Sequence, residues 1–205
     1  MDRNIISSYD KFKEEEIRQI LFDKSYNYDV LSFNIHSCLN IGNMIRTSNL
    51  CGCRKFIIFG RRHYDKRSAV GAQHYSTIER VNALKNGKTE LTTTLKSDDY
   101  EIDEKIFVEF VKKNNYIPIF IEQDSKSICF NNENVKNIIN IAKQQNKILL
   151  IIFGNESTGI PKNILDTRNE YESYTIELKQ SGCIQSFNVS NCTAIVLYKF
   201  MENFI

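Results

Sequence analysis

The six residues Ile148 to Phe153 constrain this chain more than any other stretch: ILLIIF is apolar without a break and half of it is β-branched isoleucine. Six residues fall far short of the roughly 20 that cross a membrane as a helix. A bounded apolar run of that length reads as a strand covered on both faces, which is the condition of a strand inside a parallel sheet. Runs of similar character occur at Asp29 to Phe33, Lys55 to Phe59, Tyr116 to Ile121 and Tyr174 to Leu178. Helical patterns lie between or after them at Asn43 to Leu50, Asp103 to Asn114, Glu133 to Gln145 and Asn188 to Met201. In the last, Val189, Cys192, Val196 and Phe200 recur three or four apart, as one face of a helix requires. The alternation predicts an α/β fold, a mainly parallel sheet with helices on both faces, and ligands at the carboxyl ends of its strands.

Two prolines and eight glycines in 205 residues leave little room for a flexible linker, so residues 28–205 are expected to form one continuous domain. Residues 1–27 stand apart as a helical extension in which Phe12, Ile17, Ile20 and Leu21 mark a short amphipathic helix. Lys and Arg number 27 against 25 Asp and Glu, and the resulting charge of +2 excludes a function exerted by bulk charge. Hydrophobic residues at 41% exclude intrinsic disorder. The segment MDRNIISSYDKFKEEE has no apolar signal core and carries acids that a transit peptide avoids, and the six cysteines read as reduced thiols, so a cytoplasmic location is expected. His36, Cys38, Cys51 and Cys53 match none of the usual zinc spacings, and no metal is expected.

Three segments carry candidate chemistry. In the first, NIGNMIRT, Asn40 and its neighbours suit a turn and helix cap; alternatively Arg46, six residues on, presents a guanidinium fork to a phosphate near the strand ends. In the second, FGNESTGIP, Gly154 and Gly159 are spaced as in a phosphate loop, but Ile160 and Pro161 stand where that loop needs Lys and Ser or Thr. What remains is Glu156 between glycines whose bare backbone lets a flat ligand approach. In the third, LKQSGCIQSFNVSNCTA, Ser186, Asn188 and Ser190 are either helix-cap chemistry or neutral hydrogen-bonding groups for a ribose or amino-acid moiety. No GxGxxG follows a strand, which removes the main support for a Rossmann-type oxidoreductase.

Together, in this order, the three segments resemble the SpoU branch of the SPOUT RNA methyltransferases. The first motif is similar in Asn40, Arg46 and Thr47, the second in Phe153, Gly154, Glu156, Gly159 and Ile160, the third in Leu178, Gly182, Ser186, Phe187, Asn188, Val189 and Ser190. The chain departs from the family pattern at Phe187, at Lys179 and Gln180, and at Ser157. The resemblance implies S-adenosylmethionine as methyl donor, RNA as acceptor, a ribose 2′-hydroxyl as target, a C-terminal trefoil knot and a homodimer through the last helix; with no recognisable accessory domain, tRNA is expected ahead of rRNA. It implies Arg46 as the catalytic group, oriented with substrate by Asn40, Glu156, Ser186 and Asn188, and a cofactor held by Ile121, Phe153, Gly154, Glu156, Gly159, Leu178, Ser186 and Asn188. The alternative from another class is an RNA-binding protein with the methyltransferase fold but no turnover.

Local charge has to attract RNA where net charge does not. Arg54 to Arg67 holds six bases against Asp65, and Arg61, Arg62, Lys66 and Arg67 are the expected phosphate contacts. Ser68 to His74, with Gly71 and small residues, is expected to form a mobile flap over the pocket. His63 and His74 are expected at the surface or facing RNA. Asp98 to Glu104, with five acids, reads as a solvated loop and helix start.

Overall fold

The computed structural model describes residues 5–34, 39–60, 64–85, 101–154 and 158–205. Seven strands are present among them: β1 (Tyr28–Asn34), β2 (Phe56–Gly60), β3 (Ile78–Val81), β4 (Tyr116–Ile121), β5 (Ile128–Cys129), β6 (Ile148–Phe153) and β7 (Tyr174–Glu177). They form one sheet in the order β3-β2-β1-β6-β4-β7-β5. Every strand pairing in it is parallel. The ILLIIF run is β6, hydrogen-bonded to β1 on one side and β4 on the other, which is why it is apolar throughout.

Successive residues of the central strands point to opposite faces. Val30, Ile58, Ile119 and Ile151 enter one core with α2 (Leu39–Leu50), α4 (Asn132–Gln144) and α6 (Val189–Phe204). Leu31, Phe59, Phe120 and Ile152 enter the other, with α3 (Glu104–Lys113) and Ile164 of the single-turn α5 (Lys162–Leu165). Each fully buried Leu, Ile or Phe contributes on the order of 1.5–3 kcal/mol of transfer free energy. The helices α3, α4 and α6 each start on a side-chain cap. Asp103 accepts the amide of Lys105 at 2.9 Å, Asn131 that of Asn134 at 2.8 Å, and Asn188 that of Ser190 at 2.9 Å.

Two strands carried no apolar run. β3 reads Ile-Glu-Arg-Val and lies at the sheet edge, half-exposed, and β5 is only two residues long at the other edge. The helix expected from Asn43 begins at Leu39, so Asn40 to Asn43 lie inside α2 rather than in a turn before it. The reason is packing. A Cβ on Gly42 would stand 2.1 Å from Oγ of Ser68, so glycine at this helical position lets a neighbouring 3-10 turn, Lys66–Ala69, press against α2.

That contact also corrects the flap. Ser68 to His74 falls in two 3-10 turns packed on α2, with Ala69 fully buried, instead of an open loop. The acidic run helps to start α3, where Glu101 and Glu104 pair with Lys85 at 2.6 and 3.1 Å; residues 98–100 lie outside the described residues. The N-terminal helix α1 (Glu14–Asp23) begins on acids that suit a helix N-terminus, and it buries Ile17.

Candidate active site

At the carboxyl ends of β4, β6 and β7 the loops enclose a cavity of about 370 Å³. Its apolar walls are Ile121 and Phe153 at the strand ends, Leu178 just after β7, and Phe187, Val189 and Cys192 where the chain enters α6. Among the described lining residues its polar groups are Glu122, Gln123, Thr158, Gln180, Gln185 and Ser186, a set with one carboxylate and no cation. Phe187 is 45% exposed at the rim.

Two glycines shape this end. Gly159 has φ +65°, and a Cβ there would lie 2.5 Å from Oε2 of Glu122; a Cβ on Gly154 would lie 2.2 Å from the carbonyl carbon of Gly159. Only bare backbone allows the strand end and the returning loop to come so near. The Glu122 carboxylate secures the arrangement, accepting the amides of Ile160 and Gln123, each at 3.0 Å. Cys192 is no nucleophile here: burial, and then the charge of Glu122, push its thiol up to about 11, so it is protonated at neutral pH.

Of the residues singled out from sequence, Ile121, Phe153, Gly154, Gly159, Leu178 and Ser186 line this cavity. Asn188 stands between the lining residues Phe187 and Val189. Its Oδ1 accepts the amide and hydroxyl of Ser190 at 2.9 and 2.7 Å, and its Nδ2 donates to Oδ1 of Asn40 at 3.3 Å. The first and third motifs, 148 residues apart, thus meet where α2 packs on α6. Arg46 is exposed further along α2. Glu156, Arg61, Arg62 and His63 lie outside the described residues.

Lys66 and Arg67 are exposed, as expected of phosphate contacts, but Arg67 is paired at 2.5 Å with Asp65. The hydrogen bonds from the Arg67 side chain and amide hold the Asp65 carboxyl down at about 2, so part of the local positive charge is spent within the chain. His74 is exposed and 3.5 Å from Glu14. Cys53 donates its thiol to the carbonyl of Lys55 at 2.8 Å, while His36 and Cys38 lie outside the described residues.

Sequence reasoning did not place Glu122, Gln123, Gln180 or Gln185 among the site residues, and noted Gln180 only as a departure from the family pattern. Glu122 and Gln123 carried a readable signal, since two polar residues directly follow an apolar parallel strand at its carboxyl end. Gln180 and Gln185 sit in an irregular loop, and no local pattern separates them from ordinary surface residues.

A doubly covered parallel sheet with a glycine-shaped cavity at its carboxyl ends defines an α/β protein whose cleft lies where open parallel sheets carry their ligand sites. The chain belongs to the SpoU rRNA Methylase family, whose model matches residues 28–198. No curated protein sequence matches it.

Solved structures share the fold at low identity. The A. aeolicus TrmH/SpoU tRNA modifying enzyme is 18% identical, with a TM-score of 0.65 over 93% of this chain and 81% of that one. The SpoU methyltransferase AviRb from Streptomyces viridochromogenes, in complex with the cofactor AdoMet, is 19% identical, with a TM-score of 0.56 over 86% of this chain. An RNA 2′-O ribose methyltransferase is 13% identical, with a TM-score of 0.59 over 88% of this chain. This chain spans 60% and 57% of the last two, less than two thirds of their length.

Proposed function

We propose that this protein is an S-adenosylmethionine-dependent RNA methyltransferase that methylates a ribose 2′-hydroxyl, with tRNA preferred over rRNA as substrate. The observation that carries this reading is the hydrogen bond from Asn188 to Asn40, which joins two of the three motifs beside the cavity that the second motif helps to form. The cavity fits the cofactor chemically. Ile121, Phe153 and Leu178 offer apolar contact to a flat ring, Glu122 and Ser186 suit sugar hydroxyls, and Gly154 and Gly159 expose backbone.

When bound, the cofactor supplies an activated methyl group on a sulfonium. The chain's own residues have to position the ribose and manage the charge at its 2′-oxygen as the hydroxyl proton leaves. Arg46 has that role. A guanidinium does not give up its proton at neutral pH, so it acts as phosphate clamp and oxyanion stabiliser rather than as base. Asn40, Glu156, Ser186 and Asn188 orient it or the substrate, and Arg61, Arg62, Lys66 and Arg67 hold RNA phosphates.

The family resemblance also carries a trefoil knot in the C-terminal part and a homodimer through α6. Ile195 and Tyr198, 44% and 55% exposed on α6, are the apolar groups such a dimer would cover. Residues 28–205 would form the methyltransferase domain and residues 1–27 an extension of it, in a cytoplasmic protein. The test is transfer of labelled methyl from S-adenosylmethionine to RNA, followed by nucleoside analysis. Label in a 2′-O-methylnucleoside supports the proposal. Label in a base overturns the ribose assignment, and RNA binding without incorporation favours the non-catalytic binding protein.

A further inference from the structure

A second cavity, of about 270 Å³, lies at the opposite end of the sheet. Its walls come from α1, from the last turns of α2, and from the segments leading into β1, β2 and β3, among them Tyr26, Arg54 and Tyr75. Strands such as the six-residue β4, rising about 3.3 Å per residue, set this end roughly 20 Å from the carboxyl-end cavity. Nothing in the proposed methyl transfer uses it.

Two observations on its lining are independent. The first is charge: Arg18, Lys24 and Arg54 border the cavity, and no acid appears among its described lining residues. Arg54 is engaged locally, 3.5 Å from the buried Asp29 and lying over the ring of Phe22, whereas Arg18 and Lys24 make no ion pair among the described residues. The second is ring surface, from Tyr9, Phe22, Tyr26 and Tyr75.

The volume lies below the ~300–1,000 Å³ of sites for drug-sized ligands, which suits one ring system with its sugar and leaves no space for a helix. Aromatic faces stack on a base, and free cations hold a phosphate. We infer that this pocket binds a single nucleotide, its base against the tyrosines and its phosphate on Arg18 and Lys24. The inference rests on the proposed RNA substrate for the source of that nucleotide, an unpaired residue of the RNA remote from the one methylated. A free nucleotide has the same chemistry.

The experiment titrates the full chain with AMP, GMP, CMP and UMP by calorimetry, and with a short unstructured fluorescent RNA by anisotropy. S-adenosylhomocysteine binding and thermal unfolding serve as controls. The Arg18→Ala/Lys24→Ala double variant is expected to weaken nucleotide binding about tenfold, with both controls unchanged. RNA that displaces the mononucleotide assigns the site to RNA, and a mononucleotide that binds while RNA is excluded assigns it to a free nucleotide. No binding of any nucleotide, or binding undiminished in the double variant, overturns the inference, and with S-adenosylhomocysteine still bound it leaves the methyltransferase reading standing. Nucleotide binding without S-adenosylhomocysteine binding strikes the methyltransferase reading instead.

Discussion

The two ends of the same parallel sheet are built from different chemistry. At the carboxyl end, β4, β6 and β7 run into glycine-shaped loops, and one carboxylate, Glu122, spends its oxygens on the amides of Ile160 and Gln123. At the amino end, the lead-in segments and α1 supply rings and cations. The difference follows from polarity. In a parallel sheet the carboxyl ends of strands and the amino ends of the following helices face one way, so backbone groups there can hold a ligand themselves. The amino end of the sheet has no such supply and depends on side chains.

The largest expected effect breaks that comparison at its catalytic half. Arg46→Ala should lower kcat by about 10²–10³-fold, the scale of removing one stabiliser of developing negative charge, while S-adenosylmethionine affinity measured by calorimetry stays near wild type. Wild-type turnover would remove Arg46 from the chemistry.

Next comes Gly154→Ala, whose Cβ would lie 2.2 Å from the carbonyl carbon of Gly159 and 2.5 Å from the amide nitrogen of Ile160. Strain of this kind costs about 1–3 kcal/mol. Cofactor affinity should fall tenfold or more, and denaturant unfolding should report the lost stability. A variant that binds cofactor normally would show that the loop can move apart, and that backbone closeness is not what shapes the carboxyl-end site.

The smallest effect is in the pH dependence of stability, where the two ends should slope in opposite directions. Asp29, near the start of β1, has its carboxyl raised above the ordinary 3.8 by burial, against the opposing pull of the Tyr116 hydroxyl and Arg54. Its contribution is therefore fully present below 3.8 and lost as pH rises through the raised value. Glu104, at the start of α3, is held down at about 2 by its own amide, by Lys85 and by Asn163, against an ordinary 4.5. Its contribution is present above 4.5 and lost as pH falls toward 2. Denaturation across pH should show Asp29→Asn flattening the decline above 3.8, and Glu104→Gln flattening the loss on the acid side. Slopes equal to wild type in both variants would take electrostatics out of the comparison.

Local pattern carried the central strands because an apolar run of five or six residues has few other uses. Ile148–Phe153 and Tyr116–Ile121 coincide with β6 and β4 to the residue. The same reasoning missed β3, where Glu79 and Arg80 interrupt an edge strand that is covered on one side only. It misread Gly42 as a turn residue, since the Ser68 hydroxyl that demands a glycine there comes from 26 residues further along the chain. Phe153, Gly154 and Gly159 were legible as a ligand loop from their position after the most apolar strand. Glu122, which ties that loop down, was not singled out, because its partner amide at Ile160 lies 38 residues away.

By itself the sequence determined the strands of the sheet's centre, the helices that cover it, the candidate ligand loops and, through the spacing of three motifs, the family. These are properties of periodicity and of short segments, and they survive whatever order the strands take. Only the tertiary structure decided that Asn188 reaches Asn40, and that Glu122 fills the space a Cβ on Gly159 would need. Each depends on crossovers that bring distant segments together at one end of the sheet, and no pattern of neighbours along the chain encodes that distance.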